Sequence, residues 1–138
     1  MTVCLADTGA LVALLDRADS NHAWAVECFK KLKPPLLTCE SVLAEAAHLL
    51  RDLPRSFQAL ARLHDEKIIS VHFDFEAQAA GVWRLLRKYQ GVPMDLADAC
   101  LVRLSELHTD CTVWTTDSDF RIYRRHGRQV IPTLRPGS

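Results

Sequence analysis

The sequence is short of several things at once, and each shortage closes off a class of function. Glycine numbers only five in 138 residues, and none builds a phosphate-cradling loop, which argues against a nucleoside triphosphatase. No serine lies in a G-x-S-x-G turn, so Ser41 or Ser118 beside a histidine makes a poor nucleophile pair. The five cysteines (Cys4, Cys28, Cys39, Cys100 and Cys111) are scattered over apolar stretches without a C-x-x-C pair. They read as buried free thiols of a reducing compartment, not as a disulfide frame. Six histidines with no pairing pattern do not make a zinc site. No apolar run approaches the roughly 20 residues that span a bilayer. The chain enters a strand-like run at once, so no signal peptide is expected, and the expected location is the cytoplasm. There is also no excess charge, with 17 basic and 17 acidic residues. Neutrality gives no hint of nucleic acid, though it leaves room for segregated charge.

What is present suits one globular domain over residues 1–138, with 135–138 as a frayed tail. Strand-like and helix-like stretches alternate. Strands are expected at 2–6, 36–38, 68–71, 112–115 and 129–131. Helices are expected at 8–16, 21–31, 40–51, 54–64, 74–89 and 96–107, with a short one at 119–125. Pro34 and Pro35 stop the second helix, Pro54 opens the fourth, and Asp74 is a suitable N-cap for the fifth. Such alternation predicts an α/β fold, a three-layer sandwich whose central, mainly parallel sheet is covered on both faces. Chemistry in these folds gathers beyond the C-terminal ends of the strands, where strand order reverses.

The acids fall in unusual places. Asp7 ends the first strand, and Asp117 and Asp119 follow the strand at 112–115. Glu45 is the only charge between Glu40 and Arg51, and Asp98 stands alone in L-A-D-A-C-L-V. Burying an unpaired carboxylate costs several kcal/mol or forces it to take up a proton. Gathering several adds a repulsion of about 4 kcal/mol per pair at about 4 Å. A divalent cation removes that cost, and oxygen-only ligands favour Mg²⁺ or Mn²⁺ over zinc.

Each acid also has a purely structural reading. Asp7 could cap the helix that follows it, and Asp117 or Ser118 could cap the next short helix. Asp95 and Asp98 have the spacing of a capping box, although that spacing also aims both along one helix face. Bases gather at Lys30, Lys31 and Lys33, at Arg84, Arg87 and Lys88, and at Arg121, Arg124, Arg125 and Arg128; the plain reading of each patch is a solvated face. His48 and His22 read as packed or rim histidines, with the mouth of a site a second possibility for His22. Trp24, Trp83, Trp114 and the phenylalanines read as core before base-stacking platforms.

Four segments together resemble the PIN-domain family, in particular its VapC-like toxins. They are A-D-T-G-A-L-V-A-L-L-D around Asp7, S-V-L-A-E-A-A-H-L-L around Glu45, P-M-D-L-A-D-A-C-L-V around Asp98, and T-T-D-S-D-F around Asp117 and Asp119. They occur in the family's order and cover nearly the whole chain. The resemblance implies a PIN fold with Asp7, Glu45, Asp98 and Asp117 as a metal-binding quartet. Asp119 would be a fifth acid, either a ligand through water or a group behind the ligands. Thr116 or Thr115 would add a hydroxyl there, and Asp95 matches a variant of the third motif that carries an extra acid. By the same resemblance the activity is Mg²⁺- or Mn²⁺-dependent hydrolysis of RNA leaving a 5′-phosphate, with a small antitoxin partner and a homodimer implied. Arg121, Arg124 and Lys88 are the candidate RNA-binding bases. Competing readings are a non-catalytic module on the same fold, a stand-alone RNA-processing nuclease, and a receiver-like phospho-acceptor. The last needs a late lysine near the site, and no lysine follows Lys88.

Overall fold

Residues 2–137 are described by a computed structural model of the chain. Strand β1 (Val3–Ala6) is followed by helices α1 (Thr8–Leu15) and α2 (His22–Lys31), then β2 (Leu36–Thr38), α3 (Glu40–Leu49) and α4 (Pro54–Asp65). Next come β3 (Ile69–Val71), α5 (Phe75–Lys88), α6 (Leu96–Leu107) and β4 (Cys111–Trp114). A 3-10 turn (Ser118–Arg121) and three two-residue strands close the chain: β5 (Arg124–Arg125), β6 (Gln129–Val130) and β7 (Thr133–Leu134).

The expected α/β sandwich is present. Five parallel strands form one sheet in the order β3-β2-β1-β4-β7. Its middle strands read as continuous apolar runs because both faces are covered: Leu5, Ala6, Leu36, Val113 and Trp114 are all buried. Helix α1 packs against α2, α3 and α4; α5 runs along α6; and α6 lies on β1 and β4. Trp114 is fully buried at the end of β4, with its ring 6.3 Å from those of Trp24 and Phe29. Strand order reverses at β1, with β2 on one side and β4 on the other. The crevice this topology creates therefore opens where Asp7 and residues 115–117 leave the sheet.

The stretch that follows β4 departs from the sequence reading. Residues 119–125 do not form a helix. A single 3-10 turn brings Phe120 and Tyr123 inward, with ring centroids 5.2 Å apart, and the chain then extends into β5. The strand expected at 129–131 does not join the sheet. Gln129 and Val130 pair antiparallel with Arg125 and Arg124 in a separate ribbon. The fifth sheet strand is β7, reached through Pro132, whose carbonyl accepts from Val113 N at 2.9 Å. Strands of two residues are too short to show an alternating pattern.

Arg125 corrects a second expectation. It is buried, not part of a solvated patch. Its guanidinium donates to the carbonyls of Ser105 (3.0 Å) and Thr109 (3.0 Å) and to Cys111 Sγ (3.3 Å), so it ties off the C-terminal end of α6. Trp83 is the exception among the tryptophans: it is 46% exposed and meets Phe75 edge-on. The frayed tail expected at 135–138 ends on Ser138, which lies outside the described residues. Arg135 itself is tied to Thr133 Oγ1 at 3.1 Å.

Candidate metal centre

Three carboxylates from distant parts of the chain meet at the switch in strand order. Asp7, Asp98 and Asp117 each offer an oxygen, and these oxygens all lie within 4.8 Å of one another. Asp7 comes straight off β1, its amide continuing the sheet by donating to Trp114 O at 3.0 Å. Asp117 leaves β4 three residues past Trp114, and Asp98 is supplied by the first turn of α6.

Asp7 and Asp117 are also helix caps and Asp98 is the third residue of a capping box, so the structural readings and the metal reading are compatible. Asp7 Oδ1 accepts from Thr8 N at 2.7 Å, and Asp117 Oδ1 accepts from Asp119 N at 2.8 Å. Asp95 and Asp98 form a full capping box: Asp95 Oδ1 accepts from Asp98 N at 2.8 Å and Asp98 Oδ2 from Asp95 N at 3.3 Å. The caps do not exhaust these groups. Asp98 takes both its partners on Oδ2, the second being Tyr123 Oη at 3.1 Å, and Oδ1 remains for a ligand.

Thr115 joins the first and last acids. Its hydroxyl donates to Asp7 Oδ2 at 2.6 Å and accepts from Asp117 N at 2.9 Å, so one buried side chain fixes their separation. Of the two threonines considered, Thr115 carries this contact. Thr116 packs on α1 instead, and a Cβ on Gly9 would collide with its hydroxyl and lie 3.3 Å from its Cβ. Glycine at that position lets the first turn of α1 press against the loop that carries Asp117.

The electrostatics follow from crowding without a counter-charge. Among the described residues no ion pair reaches Asp7, Asp98 or Asp117. Burial pushes the Asp7 carboxyl up to about 6, against the lowering effect of its bonds to Thr115 and Thr8, and Asp117 and Glu45 raise it further. Asp98 rises to about 8, first through burial and then through the charges of Asp95, Asp7 and Asp117. Burial, followed by the nearby Asp98, also raises the Tyr123 phenol, which therefore stays a donor. The buried Thr8 hydroxyl, on the residue that follows Asp7, also has no protein partner among the described residues, as do Trp114 Nε1 and Arg125 Nε. Three clustered oxygens, two of them on acids held above their usual range, with an unpartnered hydroxyl on the residue after Asp7, fit a hard divalent cation.

The remaining sequence candidates fall around this centre. Glu45, half-buried on α3, and Asp119, half-buried in the 3-10 turn, stand outside the three-oxygen cluster; Glu45 still acts on Asp7 and Asp119 on Tyr123 through charge. Arg121 is exposed. Arg124 Nη1 is engaged by the carbonyls of Arg121 (2.7 Å) and Tyr123 (3.0 Å). Lys88 is exposed, with Nζ donating to Gly127 O at 2.9 Å. His22 packs, its Nδ1 lying 2.7 Å from Ala13 O, and His48 is exposed beside Arg51. Gly9, Thr8 and Tyr123 went unassigned in the sequence reading. The first two sit inside the D-T-G segment, where glycine at a helix start was a visible signal; Tyr123 gave none.

Comparison with known proteins places this geometry in context. No family model matches the chain. It is 30% identical over 139 residues to ribonuclease VapC26 of Mycobacterium tuberculosis, spanning 91% of this chain and 90% of that one. The crystal structure of Mycobacterium tuberculosis VapC20, a toxin that cleaves the sarcin-ricin loop, superposes with a TM-score of 0.74 at 20% identity. That likeness covers 84% of this chain and 91% of VapC20, and it supports the fold.

Proposed function

The chain belongs to the VapC-like PIN-domain family of ribonucleases, and from that premise we propose that it is a Mg²⁺- or Mn²⁺-dependent endoribonuclease, the toxin of a toxin–antitoxin pair. The observation that carries the reading is the convergence of Asp7, Asp98 and Asp117 oxygens within 4.8 Å in a chain of this family. Those three residues would hold the cation, with Glu45 and Asp119 at its margin. Bound there, Mg²⁺ or Mn²⁺ supplies the Lewis acidity that phosphodiester hydrolysis needs.

The chain's own groups do the positioning. Thr115 sets the Asp7 carboxylate against Asp117, and the Asp119 amide orients Asp117. Tyr123 and the Asp95 amide hold Asp98 Oδ2, which turns Oδ1 into the available donor. Asp98 carries the proton in the metal-free protein near neutral pH and gives it up on loading. Glu45, placed close enough to Asp7 for its charge to be felt there, is the acid we assign to accept a proton from the attacking water. Arg121, Arg124 and Lys88 would meet the phosphates of single-stranded or looped RNA. Hydrolysis leaves a 5′-phosphate.

A small antitoxin, a second copy of the chain and a cytoplasmic setting complete the proposal. No described helix is long and apolar enough to cross a membrane. The apolar residues of α1 are largely buried, whereas Leu49, Leu53 and Phe57 are 53%, 39% and 44% exposed around α3 and α4, which supports a protein-binding surface there.

The test is cleavage of total cellular RNA by the purified protein in MgCl₂ or MnCl₂, with the new ends mapped. Cleavage to 5′-phosphate ends that stops in EDTA and in Asp98→Asn is expected. Cleavage that survives chelation would remove the metal from the reading. Loaded, folded protein that cuts no RNA would make it a binding module.

A further inference from the structure

A cavity of about 220 Å³ opens at the C-terminal edge of the sheet, beside the acid centre. Its wall comes from Glu40 and Ser41 at the start of α3, Phe73 and Phe75 after β3, and Leu96 and Cys100 on α6. Two observations fix its position. Leu37 of β2 lies opposite Leu5 of β1, and the Thr38 hydroxyl donates to Ala6 O at 2.9 Å. Cys39, also in the wall, therefore leaves the sheet level with Asp7 on the neighbouring strand. On α6, Asp98 stands between Leu96 and Cys100.

The chemistry of the wall is mixed. Among the described residues no cation lines it, so it does not suit a phosphate. Its one charged group is Glu40, which is exposed and enters no ion pair among the described residues. Glu40 stands in the first turn of α3, where any acid meets a favourable dipole; what sets it apart is its place in this wall. Half-buried Phe75 is met edge-on by the exposed Trp83, with ring centroids 5.9 Å apart, and Leu96 is 39% exposed. Aromatic and apolar surface with a few polar groups suits the flat faces and polar edge of an unpaired nucleobase. Guanine alone among the four RNA bases presents two adjacent N–H donors, N1 and N2, which one carboxylate accepts together. Its O6 beside them accepts from a hydroxyl such as that of Ser41. Uracil flanks its one N–H with carbonyls, and adenine and cytosine set an acceptor nitrogen beside the amino group, so each would turn lone pairs toward the carboxylate.

We propose that this cavity holds a guanine base of the RNA, on a nucleotide adjoining the scissile phosphate, with Phe75 as its stacking surface and Glu40 and Ser41 reading its edge. The assignment rests on the ribonuclease reading above and adds the base that the same site selects. No bond is made or broken in the cavity. A base seated there fixes the strand so that the neighbouring phosphate falls at Asp7, Asp98 and Asp117. A guanine within a duplex has the same edge occupied by its partner base, so the cavity selects single-stranded or looped RNA.

The test measures kcat/KM of the full chain on synthetic single-stranded oligonucleotides that differ only in the bases flanking the cut. Guanine at one fixed position beside the cut should be favoured about tenfold or more. Glu40→Gln, at an exposed position, should reduce that preference about tenfold, because an amide offers one acceptor where the carboxylate offers two. Phe75→Leu should raise KM about tenfold, and Phe75→Tyr, which keeps the ring, should restore it. Cutting without a base preference, a fixed base other than guanine, or a preference untouched by Glu40→Gln would overturn the assignment. An unchanged KM in folded Phe75→Leu would remove the stacking surface. If the native protein cuts no RNA, the ribonuclease reading fails and a second measurement decides the cavity alone. That measurement titrates the protein with each of the four nucleoside 5′-monophosphates and follows the Trp83 indole N–H by NMR. A shift selective for guanosine 5′-monophosphate and lost in Glu40→Gln would sustain the cavity's role, and equal or absent shifts would end it.

Discussion

Helix α6 has a buried ionisable group near each end, and the protein treats the two ends oppositely. At the C-terminal end Arg125 is buried among the carbonyls of Ser105 and Thr109, where the helix presents its negative pole. That charge is answered through its two terminal nitrogens by groups of the same chain, while the buried Nε has no partner among the described residues. At the N-terminal end Asp98 shares a small space with Asp7 and Asp117, and no described cation pairs with them. A buried charge satisfied internally is part of the scaffold. A set of crowded acids without a counter-charge is held away from its ionised form, a cost that an external partner can offset, and oxygen donors name that partner as a hard cation.

The contrast can be broken by mutation. The largest effect is expected from Asp98→Asn, which should cut RNA cleavage about 100-fold or more. The same change should raise the unfolding temperature of the metal-free protein, because an amide is neutral without the proton that Asp98 must take up on folding. A loss of both activity and stability would make Asp98 scaffold like Arg125.

Arg125→Ala is expected to behave in the reverse sense. It leaves carbonyls of α6 unpaired and should cost about 3 kcal/mol in urea unfolding, with the activity per folded molecule retained. Retained stability would show that the helix end is satisfied some other way.

The two ends of α6 also differ in their response to pH. Asp7 and Asp98 have folded-state values of about 6 and about 8, above the ordinary 3.8 expected of the unfolded chain. The native state therefore binds more protons in that window, and metal-free stability should fall as pH rises from about 4 to about 8. Mn²⁺ should raise the melting temperature more at pH 8 than at pH 5, since loading competes with those protons. A metal effect independent of pH would contradict the assignment. The smallest change is expected from Tyr123→Phe, which removes one donor to Asp98 and should cost about 1 kcal/mol with a modest loss of cleavage.

Much of the candidate centre was legible because its residues break local rules. Asp98 between alanines and Glu45 on an apolar helix stand out in one dimension, and Asp7 at a strand end falls where parallel sheets gather chemistry. Thr115, one of two adjacent threonines, could be narrowed but not chosen, since the choice depends on which side of the sheet each faces. Tyr123 and Arg125 were hidden because their partners lie on a different element. Arg125 looked like one more base in a surface run, and nothing local separates it from Arg124 or Arg128.

Local pattern by itself determined the alternation of strands and helices, the helix boundaries set by proline and aspartate, and the short list of acids. These depend on periods of two and 3.6 residues and on neighbours within a turn, all of which a linear sequence contains. The convergence of Asp7, Asp98 and Asp117 and the inward turn of Arg125 came from packing in three dimensions. Those are contacts between distant segments. Their existence depends on strand order and helix packing, which no window of neighbouring residues encodes.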